Sequence, residues 1–331
     1  MNLRKVGITG TGSYVPEDKI TNADLEKMVD TTDEWITTRT GIKERRKCKP
    51  EQATSDLAHG AAVQALEDAG VTADELDAII VATISPDMNF PSTACFLQKK
   101  LKALNASCWD ISAACSGFIY ALRSGRALVA SGDYDKVLCV GAECMTKITN
   151  YEDRTSCILF GDAAGAAVLQ PITDGRHEIL DIFTRSDGHS KAAMSMVLRC
   201  GGTQSPFCQE ALDRKEHLQV IHGREVYRFA VTKLSEVIVR AAEKQGIAVT
   251  DIDWVIPHQA NLRILQGVAA RIGLPQERFY IDLDRYGNSS AASVPLALDE
   301  AVRDGSVQDG HLLVMAVFGG GLTWASATIR W

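Results

Sequence analysis

Four segments of the chain are almost unbroken apolar runs of strand length: 78–83, 137–141, 254–257 and 312–317. A strand with one wet face alternates apolar and polar residues, so a run without alternation belongs in a sheet covered on both faces. Between these runs the period lengthens. Leu57, Ala61, Ala62, Ala65, Leu66 and Ala69 share one stripe, which predicts a helix over 55–69 with Ser55 as N-cap and Gly70 as C-cap. Positions 116–131 are apolar or small nearly all round (Phe118, Ile119, Ala121, Leu122, Gly125, Ala127, Leu128), which predicts a buried helix. Strand and helix alternate throughout, so the fold class is α/β. Buried helices between covered sheets imply layers in the order α-β-α-β-α. The stretch 185–217 has no period and contains Asp187-Gly188 and Gly201-Gly202-Thr203. It reads as a long loop region of the kind that carries substrate contacts.

The pattern occurs twice. Gly70-Val-Thr-Ala-Asp-Glu-Leu-Asp77, leading into the run at 78, is echoed by Gly246-Ile-Ala-Val-Thr-Asp-Ile-Asp253, leading into the run at 254. Cys108-Trp-Asp-Ile111 is echoed by Tyr280-Ile-Asp-Leu283, and 131–141 by 304–315. The helix that opens at Cys115 is echoed by the Ser/Ala-rich helix at Asn288. The offset stays near ~175 residues, about half the chain, as an internal duplication requires. The expected organisation is two βαβαβ-type halves, 1–171 and 172–331, packed about a pseudo-dyad.

Such packing makes two helix N-termini converge. One presents Cys115, within Asp110-Ile-Ser-Ala-Ala-Cys-Ser-Gly-Phe118; the other presents Asn288, within Tyr286-Gly-Asn-Ser-Ser-Ala-Ala-Ser293. His258 follows an apolar strand in Ile256-Pro-His-Gln-Ala-Asn-Leu262. A cysteine in the first turn of a helix meets unpaired N–H groups and the positive end of the dipole, both of which favour thiolate. Thiolate is a strong nucleophile and a good leaving group, which suits thioester exchange. An acyl group held on Cys115 can be attacked by a carbanion formed by decarboxylating a malonyl thioester. The developing enolate needs donors, and a neutral His258 N–H and the Asn288 NH2 would supply two. The acyl carbonyl needs a second hole, from the Cys115 N–H and one from Phe318-Gly-Gly-Gly321, where glycines let the backbone approach closely.

Composition narrows the choice. A net charge of −7 argues against general nucleic-acid affinity. The nine cysteines include no Cys-x-x-Cys pair, so neither a disulfide framework nor a zinc site is expected. No apolar run approaches ~18 residues and the first residues do not read as a leader, so the expected address is the cytoplasm. Gly10-Thr-Gly12 lacks the third glycine of a dinucleotide fingerprint, and Pro16 soon follows.

The motifs together resemble the thiolase superfamily and, within it, β-ketoacyl-acyl-carrier-protein synthase III. The similarity runs nearly the whole chain through Thr31-Thr-Asp-Glu-Trp-Ile-Thr-Thr-Arg-Thr-Gly41, Phe90-Pro-Ser92, Ala113-Ala-Cys-Ser-Gly117, Phe160-Gly-Asp-Ala-Ala-Gly165, His222-Gly-Arg-Glu-Val-Tyr227, Pro257-His-Gln-Ala-Asn261, Gly287-Asn-Ser-Ser290 and Phe318-Gly-Gly-Gly321. The resemblance implies a thiolase-like five-layered fold, a homodimer and no cofactor. It also implies the opening condensation of type II fatty acid synthesis, in which acyl-CoA and malonyl-acyl-carrier protein give a β-ketoacyl-carrier protein, CO2 and CoA. By the same resemblance Cys115 is acylated, His258 and Asn288 assist decarboxylation, and Gly320 supplies the second acyl-oxyanion N–H. Trp35 and Arg154 sandwich the adenine of CoA, with Thr31, Arg39 and Asn261 nearby. Phe90, Phe160 and Phe318 belong to the acyl pocket, Phe90 reaching across the dimer. Arg228, Arg263 and Arg271 match the surface that docks the acidic carrier. Thr31 and Glu34 also read as a capping box that seats Trp35. Thr155 and Tyr227 depart from residues found in some relatives and bear on the CoA channel, and 194–208 shapes the acyl pocket.

Two other functions fit the same residues. One is a specialised condensing enzyme that primes polyketide or signalling-molecule synthesis. The other, of a different class, is a non-catalytic acyl-CoA-binding subunit, against which Cys115, His258 and Asn288 all stand intact. Among related enzymes, degradative thiolases carry a second cysteine where this chain has Phe318-Gly-Gly-Gly321. Hydroxymethylglutaryl-CoA synthases need a catalytic glutamate, for which Glu143 lies near a strand end, but the Asn288 motif fits them poorly.

Overall fold

The computed structural model of the protein describes residues 3–331; Met1 and Asn2, the start of the segment read for a leader, lie outside the described residues. The first part of the chain forms β1 (Val6–Tyr14), β2 (Lys19–Thr21), α1 (Asn22–Glu26), α2 (Asp33–Thr40), β3 (Glu44–Arg46), α3 (Thr54–Ala69), β4 (Ala78–Ala82), α4 (Thr93–Leu101), β5 (Ser107–Ile111), α5 (Gly117–Ser131), β6 (Val137–Glu143) and β7 (Ala163–Pro171). The second forms β8 (Glu178–Ser186), β9 (Met196–Val197), α6 (Gln209–Asp213), β10 (Val220–Ile221), α7 (Gly223–Gln245), β11 (Trp254–Pro257), α8 (Leu262–Ile272), α9 (Leu283–Tyr286), α10 (Ser293–Arg303), β12 (Leu312–Gly319) and β13 (Thr323–Arg330).

The two parts repeat one sheet. In the first, β5, β4 and β6 run parallel, and β7 and β1 follow antiparallel. In the second, β11 and β12 run parallel, and β13 and β8 follow antiparallel. Phe279 bridges Val255 in parallel, at the place β5 takes in the first part. The two sheets join where β1 meets β8, at the single pair Gly7↔Glu178. Strands whose faces are both apolar need cover on both sides, and three clusters provide it. Between the sheets lie α5 and α10, with Phe118, Leu122, Val294 and Leu298 packed on Ile80, Leu169, Met315 and Ala327. Outside the first sheet lie α3 and α4, with Leu57 and Leu97 on Ile79 and Val140. Outside the second lie α7 and α8, with Leu234 and Val268 on Val255 and Val314. The result is the expected five-layered α-β-α-β-α stack.

Several local expectations are corrected. The N-cap of α3 is Ala53, whose N–H donates to Asp56 at 2.8 Å; Ser55 lies inside the helix and its hydroxyl donates to Asp87 at 2.6 Å. The N-cap of α2 is Thr32, accepting from Trp35 N at 3.1 Å, so Thr31 and Glu34 form no capping box. Helix α5 is not buried all round: Ala127 is exposed and Leu128 half-buried, because that face turns out from between the sheets. The 185–217 region is largely irregular, but it carries the end of β8, one 3-10 turn, β9 and α6; β9 then pairs with β10.

Candidate active site

Cys115 lies in a single 3-10 turn, Ala114–Ser116, that opens α5. The matching turn of the second part, Ser290–Ala292, opens α10. Both begin on a residue with a side chain in left-handed backbone, Ala114 at φ 47° and Ser290 at φ 50°. Backbone held this way is strained and concentrates at functional sites. The turns set the register of the repeat, and they correct it: Cys115 is matched by Ala291, and Asn288 stands three residues ahead. Gly141 lets the second turn lie on β6, since a Cβ there would stand 2.3 Å from Ala291 O.

The end of β12 closes on the cysteine turn. A Cβ at Gly319 would stand 2.8 Å from Cys115 N and 3.0 Å from Ser116 N. The Thr323 hydroxyl lies 3.0 Å from Ala113 O and 3.1 Å from Gly320 O, tying the turn to the glycine run. The backbones of the cysteine turn and of the glycine run thus lie in close contact.

The thiol does not behave as expected from its helix position. Cys115 is buried, and burial pushes its thiol up to about 12; the charge of Glu143 adds to this, while the Ser290 hydroxyl and the cysteine's own N–H oppose it. Burial thus opposes the ionisation that the helix terminus favours.

His258 follows β11, and its N–H donates to Ala316 O at 2.8 Å, continuing the pairing with β12. Its ring is buried and Nδ1 lies 2.7 Å from Ser293 Oγ. Burial lowers the imidazole to about 4, so it is neutral near pH 7. Asn288 is held by its backbone to the 159–161 segment, donating to Leu159 O at 2.8 Å and accepting from Gly161 N at 3.2 Å. Its Oδ1 accepts from Ser290 N at 2.9 Å, and Nδ2 has no bond among the described residues, which leaves the amide NH2 as a free donor. Residues 288–293 therefore connect all three groups: Ser290 stands beside Cys115, Asn288 grips Ser290 N, and Ser293 meets His258.

Sequence reasoning missed the support beneath them. Glu143 ends β6 fully buried, accepting from Thr83 Oγ1 at 3.0 Å, Ile84 N at 3.1 Å, and Ser85 N and Oγ at 3.1 and 2.5 Å. Its other oxygen lies 3.5 Å from Ala291 N. Burial raises its pKa against those donors. The Ser290 hydroxyl stands against both Cys115 and Glu143 yet makes a well-formed hydrogen bond to neither. Ser290 and Ser293 were visible in the Asn288 motif; nothing in the sequence marked Glu143 as lying under the cysteine.

The residues assigned to CoA lie together at α2. The guanidinium of Arg39 is 4.6 Å from the Trp35 ring centre and that of Arg154 is 5.1 Å away. Arg154 also donates to Asp30 O at 2.7 Å. A purine cannot lie between Trp35 and Arg154 until that guanidinium lifts off the indole. Asn261 caps α8, accepting from Arg263 N at 2.8 Å, and its Nδ2 donates to Arg39 O at 3.1 Å. Thr31 Oγ1 is buried without a partner. Phe160 is buried beside Asn288, and Phe318 packs on Phe229 with ring centres 5.4 Å apart, whereas Phe90 is 84% exposed. Arg228, Arg263 and Arg271 are exposed on the packed pair α7 and α8, with Arg263 Nε donating to Thr38 O at 3.0 Å. A separate cleft of about 610 Å3, lined by Tyr14, Tyr280, Arg285, Glu300 and Arg303, contains none of these groups, and its Arg285 is paired with Glu300 at 2.7 Å.

A family model of 3-oxoacyl-[acyl-carrier-protein] synthase III matches residues 109–188, and the model of that family's C-terminal part matches 242–331. The chain is similar to a β-ketoacyl-[acyl-carrier-protein] synthase III of Caldanaerobacter subterraneus, with 50% identity over 325 residues, 98% of this chain and 97% of the relative. Its fold is similar to the crystal structure of 3-oxoacyl-[acyl-carrier-protein] synthase III from Aquifex aeolicus, with TM-score 0.90, 42% identity, and 98% of this chain and 100% of that one covered. The priming β-ketosynthase of the R1128 polyketide biosynthetic pathway matches with TM-score 0.90 and 35% identity, covering 99% of this chain and 97% of that one.

Proposed function

Because the chain belongs to the β-ketoacyl-[acyl-carrier-protein] synthase III family, we propose that it carries out its condensation through an acyl group held on Cys115. The protein is an acyltransferase of the initiating condensation in fatty acid synthesis. In our reading acyl-CoA enters over Trp35, Arg39 and Arg154 and passes its acyl group to the Cys115 sulfur. The acyl oxygen is held by the N–H groups of Cys115 and Gly320. Malonyl-acyl-carrier protein, docked on Arg228, Arg263 and Arg271, then loses CO2, and the enolate is stabilised by the free Asn288 NH2 beside His258. The acyl carbon is attacked, sulfur leaves, and the β-ketoacyl-carrier protein departs. No cofactor takes part. The halves 1–171 and 172–331 divide the work, the first bringing sulfur and the second imidazole and carboxamide.

The observation that supports this reading is the meeting of the Cys115 turn with the Gly319–Gly320 backbone on one side and the 288–293 turn on the other. The proposed assembly is a homodimer; the sheet edge at β5 and the exposed Phe90 support that reading. Among the described residues no helix is long and apolar enough to cross a membrane, and the proposed address is the cytoplasm. The structural likeness to the R1128 priming enzyme supports a second reading, the priming of a specialised pathway.

Intact mass after incubation with straight and branched acyl-CoAs tests these readings. One acyl group is expected on the wild type, none on Cys115→Ala, and malonyl-carrier protein should discharge it. Acylation without discharge favours the specialised reading. No acylation by any donor overturns the acyl-Cys115 route.

A further inference from the structure

We propose that Glu143 is a positioning residue for the condensation: its carboxylate accepts from the Ala291 N–H and so holds in place the turn that carries Asn288.

The duplication, followed to the strand ends, leads to this residue. Asp77 N donates to Lys136 O at 2.9 Å, and Asp253 N donates to Leu312 O at 3.1 Å, so the two halves enter these strands alike. The next residues pair in the same register, Ala78 with Val137 and Trp254 with Leu313. Counted on from there, Glu143 at the end of β6 is the counterpart of Gly319 at the end of β12. Each strand end closes on the turn of the other half. Gly319 lies against Cys115 N, where a Cβ would stand 2.8 Å away. Glu143 Oε1 lies 3.5 Å from Ala291 N, the counterpart of Cys115 N. The Cys115 amide has no acceptor among the described residues, whereas the Ala291 amide has this carboxylate alone. In the acyl-Cys115 reading the first N–H is kept for the acyl oxygen. The second is given to an anion of the chain itself.

A buried N–H without a partner is costly, and the second turn has no other to offer this one. Asn288 Oδ1 takes Ser290 N and Ser289 O takes Ala292 N, which leaves Ala291 N to Glu143. A carboxylate where a helix opens also meets the positive end of its dipole. The other oxygen, Oε2, is anchored in the first half. Ile84 N and Ser85 N, both at 3.1 Å, can only donate to it. Ser85 Oγ already accepts from Cys144 N, and Thr83 Oγ1 from Ser85 N, so the hydrogens of both hydroxyls are free for Glu143. Glu143 is thus a clasp with one oxygen on the exit of β4 and one on Ala291. Asn288 stands three residues before that amide and grips the amide next to it, so a slip of the turn carries the Asn288 NH2 with it.

Glu143→Gln separates the two oxygens. Ile84 N and Ser85 N need an acceptor, so the amide oxygen stays on the β4 exit and its NH2 is set against Ala291 N, donor against donor. Hydrogen exchange read by mass should quicken about tenfold or more over 288–294 while peptides of α3 and β4 keep their wild-type rates. Decarboxylation of malonyl-carrier protein, measured with Cys115→Ala in both proteins, should fall about tenfold in kcat, as one unmade buried hydrogen bond implies. Its KM should change by less than about twofold, since the carrier surface is untouched. Unchanged exchange at 288–294, exchange that rises equally in α3, or undiminished decarboxylation overturns the proposal. Should the variant fail to melt cooperatively, the wild type decides: the Ala291 N–H must exchange slowly, and exchange at the rate of an open amide overturns the proposal. The inference rests on the reading that Asn288 serves decarboxylation, which Asn288→Ala in the same background tests alone. Undiminished decarboxylation there removes that reading, and the exchange result still decides whether Glu143 holds the turn.

Discussion

Gly319→Ala measures how tightly the cysteine turn is enclosed. The φ of Gly319 lies outside the left-handed region, so alanine meets no backbone penalty there and the whole effect is contact. The added methyl would stand 2.8 Å from Cys115 N, 3.0 Å from Ser116 N and 3.1 Å from Thr323 Oγ1. The first of these is about 0.6 Å short of ordinary contact, and it falls on backbone rather than on a yielding side-chain tip. Overpacking of this kind costs about 1–3 kcal/mol, a drop in melting temperature of a few degrees at most for a chain of this length. The catalytic cost is larger. The turn must retreat, and with it the Cys115 N–H proposed to hold the acyl oxygen. Losing one oxyanion donor costs about 10²–10³ in kcat. Gly320→Ala is the comparison, because its methyl meets nothing nearer than 3.4 Å, to Met196 O, and its N–H survives. Quenched-flow acylation by acyl-CoA, read by mass, should fall about a hundredfold in Gly319→Ala and at least ten times less in Gly320→Ala. Wild-type acylation in Gly319→Ala, or equal losses in the two variants, would refute the placement of the oxyanion hole between the cysteine turn and the end of β12.

His258 makes folding pH-dependent with a known sign. Its folded pKa, lowered to about 4, lies below the ordinary value of 6.5, so the unfolded chain binds more protons between them. Its contribution is whole above pH 6.5 and lost as pH falls toward 4, by about 3 kcal/mol. Denaturation midpoints measured from pH 7.5 to 4.5 should therefore fall less steeply in His258→Gln; parallel curves would exclude this. Arg45, fully buried and lowered to about 10 by desolvation, donates to Ile20 O, Asn22 Oδ1 and Ile158 O at 3.2, 2.8 and 2.6 Å. Arg45→Leu leaves those acceptors unpaired, at about 1–3 kcal/mol each. Because the Ile158 segment carries Asn288, malonyl decarboxylation should fall as well as the melting temperature; a melting change alone would separate the two.

Much of the fold was legible because its strands are covered on both faces. The runs at 78, 137, 254 and 312 became β4, β6, β11 and β12 with little error, since an unbroken apolar run has few other places to go. Helix starts were read less well. At α3 the chain caps with Asp56 reaching back to Ala53 N, so the serine that looked like a cap was free to bond Asp87 instead. The ionisation of Cys115 could not be read at all, because the helix terminus is local whereas burial is set by β12 and the 288–293 turn, both more than 170 residues away.

The register of the duplication explains what the site contains. Matching the cysteine to the asparagine was natural, as both are the reactive residues of their motifs. The backbone instead matches Ala114 to Ser290 and Cys115 to Ala291, each turn starting in the left-handed region and each opening a helix between the sheets. At the position of the nucleophile, then, the second half has only a methyl group, and Gly141 lets that turn lie against β6. Its polar groups come from around the position: Asn288 before it, Ser290 at the strained residue, Ser293 one turn after. A second nucleophile there would compete for the acyl group. A methyl flanked by a carboxamide and two hydroxyls offers no second thiol in its place. The two halves thus share a backbone but not a set of side chains, because the duplicated turn that holds sulfur in one is, in the other, the platform that grips the Asn288 amide and meets the His258 ring.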